Sequence, residues 1–230
     1  MSHAGRRATL AALLLLVPAA LGGCGTGTGP SPAAGVDGLV IPTPAPEQAD
    51  FVTGIDNPWL AYEVGSETTY AVSGSAVTTS VVVTVAAGPQ VDRVATTAVT
   101  ATSTAADLAH TDYYAQDRAG NVWWFGREGE WQAGTGGVEA GLLMAATPRF
   151  GDGYRSALAP GVDLVADVVA VDSTVAGSTG DYDHVVVIDT TDSDGQVERA
   201  WYARGVGLVH QATLAPEDGA ADVVLELTQR

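Results

Sequence analysis

Past residue 67 the chain breaks into short runs in which β-branched and aromatic side chains alternate with small or polar ones. A period of two matches the pleat of a strand, whose successive side chains point to opposite faces, and it defeats a helix, whose apolar stripe repeats every three to four residues. The runs at 68–72, 77–85, 93–102, 112–116, 121–127, 154–158, 165–171, 183–190, 198–203, 208–214 and 222–228 are expected strands. Gly, Asp, Asn and Pro punctuate them. Ala86-Ala87-Gly88-Pro89, Asp117-Arg118-Ala119-Gly120 and Thr191-Asp192-Ser193-Asp194-Gly195 are expected turns. Only 138–146 has a helical cast. The pattern predicts a mainly β fold: a single antiparallel curved sheet, closed as an open barrel or packed as a sandwich, with little helix. This β-rich domain is expected over 50–230.

The forty-nine residues before it read differently. Arg6 and Arg7 precede an apolar run at 10–17, followed by Pro18 and then Leu21-Gly22-Gly23-Cys24. The run is shorter than the roughly 20 residues a membrane-spanning helix needs, and its basic start is that of an export signal. Leu21-Gly22-Gly23-Cys24 resembles the lipobox of bacterial lipoproteins, which implies a signal peptide over 1–23 and a diacylglyceryl group on Cys24. Each buried methylene contributes roughly 0.8 kcal/mol, so two acyl chains hold a protein to a bilayer without help from its surface. Residues 24–49, rich in Gly, Pro, Ala and Thr, form an expected flexible tether. The implied location is the extracytoplasmic face of the cell membrane.

Charge and cysteine content narrow the partners. The formal charge is −17, there is no lysine, and losing Arg6 and Arg7 with the leader would take it to −19. Such a polyanion is a poor ligand for nucleic acid and would not lie flat on anionic lipid. Cys24 is the only cysteine. With that thiol committed to lipid no disulfide can form, so the core alone must hold the fold, and a monomer is expected.

Familiar catalytic patterns are missing. No Gly-x-Ser-x-Gly elbow occurs, and the histidines past the leader, His110, His184 and His210, lie in or beside expected strands. His-Glu-x-x-His and Cys-x-x-Cys are absent; Asp189, Asp192 and Asp194 precede Gly195 but fail the alternate-position frame of a calcium loop. No metal, cofactor or catalytic residue is therefore expected. The best lead for binding is aromatic: Tyr113 and Tyr114 before a turn, Trp123, Trp124 and Phe125 after it, then Trp131. Strand alternation sends Trp123 and Phe125 to one face and Trp124 to the other. Tyr113, Trp123, Trp124 and Trp131 are the candidate ligand-facing residues.

Several segments, among them Ile55-Asp56-Asn57-Pro58-Trp59-Leu60, Asp112-Tyr113-Tyr114-Ala115-Gln116-Asp117, Gly120-Asn121-Val122-Trp123-Trp124-Phe125-Gly126 and Tyr202-Ala203-Arg204-Gly205-Val206-Gly207, resemble a group of bacterial surface lipoproteins and exported β domains of mostly unassigned function. More remotely, the curved sheet looks like that of lipoprotein carriers built as a half-barrel around an apolar cavity. The resemblance implies a β domain and supplies no active site. The expected function is a non-enzymatic binding or envelope-associated module. One alternative is a carrier of an apolar ligand in a β-cup; another is a hydrolase whose site the sequence does not display.

Overall fold

A computed structural model describes residues 46–60, 62–74, 78–105, 108–215 and 221–230, with the side chains of residues 221 and 222 undescribed. Cys24, the leader and nearly all of the tether lie outside the described residues.

The described residues form a meander of fourteen strands. They are β1 (Phe51–Val52), β2 (Glu67–Gly74), β3 (Thr78–Val91), β4 (Val94–Ser103), β5 (His110–Asp117), β6 (Val122–Arg127) and β7 (Trp131–Gln132), then β8 (Gly141–Met144), β9 (Gly153–Ala159), β10 (Val162–Gly177), β11 (Gly180–Thr191), β12 (Val197–Ala203), β13 (Gly207–Leu214) and β14 (Ala221–Gln229). Every pairing is antiparallel, in the order β7-β6-β5-β4-β3-β2-β14-β13-β12-β11-β10-β9, with β1 on β5 and β8 on β6. Gln48–Asp50 form a single 3-10 turn ahead of β1.

This order bends back on itself. β8, laddered to β6, also lies against β9 at the far end of the path: the Tyr154 hydroxyl donates to the Leu143 carbonyl (3.0 Å). A Cβ built on Gly141 would sit 2.1 Å from the Ser156 carbonyl oxygen, so only glycine permits so close an approach. The result is a nearly closed antiparallel barrel with one seam, between β8 and β9, that lacks a ladder. A ring of this many strands is too wide for its own side chains to fill completely.

One end of the barrel is crossed by residues 55–62. Asn57, 2% exposed, donates from its side-chain amide to the carbonyls of Gly120 (2.8 Å) and Ala145 (3.3 Å) and accepts from the Trp59 N–H (2.9 Å). Its own N–H donates to the Gln116 side chain (2.8 Å). On the opposite side the Gly205 N–H donates to the Pro58 carbonyl (2.7 Å), and the Arg204 guanidinium stands 5.4 Å from the Trp59 ring centre. The segment thus spans from the β5–β6 turn to the β12–β13 turn and drives Leu60, 1% exposed, into the core. Trp59 and Leu60, 9% and 1% exposed, thereby cap one end of the core.

Two sequence expectations are corrected. Residues 86–89 do not turn: β3 runs on to Val91, with an irregularity between Ala87 and Gln90 that accommodates Pro89, and the reversal falls at Asp92 (φ 44) and Arg93 (φ 64). Proline is tolerated in a strand at such a bulge, and two consecutive positive φ values are those of a tight hairpin. Nor is 138–146 helical; it contains β8, where Val122 pairs with Met144 and Trp123 with Leu142. The partner strand offers an apolar face to Leu142 and Met144, and that decides the matter over weak local preference.

Candidate functional site

The barrel encloses a cavity of about 540 Å³, to which strands from all around the ring contribute side chains. Its lining follows from strand parity. On β12 the alternate residues Glu198, Ala200 and Tyr202 face inward, while Arg199 points out to a two-point ion pair with Asp189 (2.6 and 2.7 Å). On β3 and β4 the inward residues are Val81, Val83, Val99 and Ala101. The walls are therefore unlike. β2 to β4 and β14 present an apolar side, completed by Leu225; β11 to β13 present Thr190, Glu198, Gln211 and Thr213.

Four tyrosines lie towards the end crossed by residues 55–62. Tyr62 stacks on Tyr114 with ring centres 5.5 Å apart, and Tyr70 and Tyr202 complete the group. Burial raises the pKa of all four, with weaker contributions from neighbouring ionisable groups, so each stays a neutral hydroxyl at physiological pH.

Nearer the other end, β5 and β6 supply a charged cluster. Asp112, 4% exposed, accepts from Arg127 Nε (2.8 Å) and Nη2 (3.0 Å), from Trp124 Nε1 (3.2 Å) and from the Tyr114 hydroxyl (3.2 Å). His110 Nε2 lies 3.3 Å from the same carboxylate. Burial first, and then the Arg127 charge, lower the His110 pKa, so the imidazole is neutral near pH 7. Trp124 and Arg127 both reach this cluster because β6 bulges between its pairings with Tyr113 and Tyr114: Phe125 is the extra residue, and Gly126, at φ 135, follows it. A Cβ there would meet the Trp131 carbonyl oxygen at 2.2 Å.

Glu198 faces this cluster across the lumen. Glu198 lies on the lumen wall among many protein atoms, yet its side chain is exposed to the water of the cavity. Burial raises its pKa above the ordinary carboxylate value, against the opposing effects of the Gln211 amide and the Arg127 charge. Among the described residues no ion pair involves it.

The four aromatics singled out from sequence are distributed over both faces. Trp124 lines the lumen, and Trp131 packs edge-on behind it with ring centres 5.0 Å apart. Trp123 lines instead a separate outer groove of about 490 Å³, shared with Phe51, Phe125, Val138 and Leu158, and its indole N–H donates to Asp117 (2.9 Å). Tyr113 is buried on the face away from the lumen, beside Glu128. Alternation thus separates Trp124 from Trp123 and Phe125 as expected. Glu198, Tyr62, Tyr70 and Tyr202 also line the lumen, although no motif marks them in the sequence. The available signal was the inward parity of β12, which puts a carboxylate, a methyl and a phenol on the side that Val186 and Ile188 identify as interior.

No group of three or more His, Cys, Asp or Glu side chains able to hold a metal occurs among the described residues, and no helix there is long and apolar enough to cross a membrane. No protein-family model matches the chain, and no curated protein does. Two solved structures are similar. One is a candidate exported protein with a YmcC-like fold from Bacteroides fragilis, 13% identical, covering 74% of this chain and 97% of its own, with a TM-score of 0.45. The other is a candidate lipoprotein from Parabacteroides distasonis, 10% identical, covering 75% and 98%, with a TM-score of 0.35. Neither likeness is close enough to transfer a function.

Proposed function

We propose that this chain is a lipid-anchored, extracytoplasmic binding protein that carries a small, largely apolar molecule in its barrel lumen. One observation carries the reading: the barrel is hollow. A cavity of about 540 Å³ with an apolar side and a few placed polar groups lies within the roughly 300–1,000 Å³ of typical ligand sites. Catalysis is less well supported. Asp112 is saturated with donors, His110 is held against it, and Ser156, on the lumen wall, donates to the Leu164 carbonyl (3.3 Å). In this reading residues 1–23 are removed on export, Cys24 bears the lipid, 24–49 form the tether and 50–230 the binding domain.

The test is native purification followed by denaturing release and mass spectrometry, alongside titration with 1-N-phenylnaphthylamine, a neutral apolar dye that brightens out of water. A co-eluting molecule, or saturable dye binding that Ala200→Trp abolishes by filling the lumen, supports the proposal. An empty protein that leaves the dye dark refutes it.

A further inference from the structure

Resting on the lumen as a ligand site, we infer that the molecule it takes is a cationic amphiphile, an apolar body bearing an amine or ammonium group, with Glu198 as its counter-charge. Five ionic side chains line the cavity: His110, Asp112, Arg127, Asp192 and Glu198. Arg127 and Asp112 neutralise one another through two hydrogen bonds. Asp192 is occupied by its own turn, accepting from the N–H groups of Asp194 and Gln196 at 2.9 Å each. His110 is uncharged near neutrality. Glu198 has the Gln211 amide beside it and, among the described residues, no ion-pair partner. A carboxylate that looks into the lumen without a counter-charge gains from a cation placed against it, more so than in open water because protein lines the space.

The surroundings favour the same sign. Tyr202 lies close enough for its hydroxyl to sense Glu198, and Tyr62 in turn senses Tyr70 and lies stacked on Tyr114. Neutral phenol rings attract cations to their faces. A chain of formal charge −17 also draws cations towards it and turns anions away. A fatty acid or an acidic phospholipid would bring a second negative charge to Glu198.

Three probes with the same apolar tail separate this inference from the reading beneath it: dodecyltrimethylammonium, dodecyl maltoside and dodecanoate, each below its micellar concentration, titrated calorimetrically at pH 7. The ammonium compound should bind at least about tenfold more tightly than dodecanoate, a margin of about 1.4 kcal/mol. Glu198→Gln should abolish that margin while the neutral dye still binds saturably; Glu198→Asp should retain most of it. Asp183→Asn, the same charge change on an exposed residue, should leave it intact. Equal affinity for all three probes, tighter dodecanoate, or a preference untouched by Glu198→Gln would overturn the charge inference while leaving an apolar-ligand lumen standing. Failure of the dye and all three probes would overturn both.

Discussion

Asn57→Ala should unfasten the segment that closes one end of the barrel. The side chain has three partners: the Gly120 and Ala145 carbonyls, at 2.8 and 3.3 Å, and the Trp59 N–H at 2.9 Å. Asn57 is 2% exposed, so water does not replace what alanine removes. A net hydrogen bond is worth about 1 kcal/mol, and a buried group left unpaired costs roughly 1–3 kcal/mol. The long Ala145 contact weighs least. Together the three give a loss of about 3 kcal/mol, a large fraction of the marginal stability of a domain. At roughly 2–4 °C per kcal/mol for a domain of this size, the thermal midpoint should fall by about 6–12 °C. Urea denaturation followed by circular dichroism reads the loss directly, with an unchanged slope if the native barrel is otherwise intact. Asn57→Asp preserves shape and the acceptor for Trp59, yet it aims a carboxylate at two carbonyl oxygens and should be no better than alanine. A loss under about 1 kcal/mol for Asn57→Ala would refute the idea that residues 55–62 are held mainly through this side chain.

Three further outcomes follow from the geometry. Asp112→Ala strands the Arg127 guanidinium in the lumen and should cost about 3 kcal/mol, since breaking a largely buried pair leaves a charge without its partner; a loss under about 1 kcal/mol in urea would mean that cavity water solvates Arg127. Glu198 holds its proton more tightly folded than unfolded, so its contribution to stability is present below the ordinary carboxylate pKa and is lost as pH rises through the folded value. Glu198→Gln should accordingly raise the thermal midpoint near neutrality and flatten its fall above about pH 4; a lower midpoint at pH 7 contradicts this. Cys24→Ala should move the protein from the membrane fraction to the soluble one and abolish lipid labelling; unchanged membrane association would refute the anchor.

The strands were legible because both registers of the code agree: β-branched alternation in the runs, and Gly or Asp between them. Misreadings arose where a local signal met a tertiary demand. Gly88-Pro89 looks like a turn in isolation, yet β4 pairs alongside it and the chain reverses at Asp92-Arg93, a pair with no strong turn signature. Leu142-Leu143-Met144 is too short an apolar run for periodicity to choose between helix and strand, and only the presence of β6 chooses. The site was less legible than the fold. Trp124 stood out by type, and alternation gave its face. Glu198 did not, because a carboxylate in a strand normally faces water, and only the closure of the ring turns that face into an interior. Tyr62, outside every strand, owes its place to the segment spanning the barrel end.

The pairing of β14 with β2 joins the last strand of the chain to the first long one. β2 to β7 and β9 to β13 are successive hairpins that form as local neighbours, but they remain two open sheets until residues 221–229 arrive. Loop-closure entropy over the 149 residues from Gly74 to Val223 must then be met in one step, the kind of contact that slows folding most. A nascent chain therefore cannot complete this barrel before residues 221–229 have left the ribosome, and removing β14 should yield two exposed edges prone to self-association.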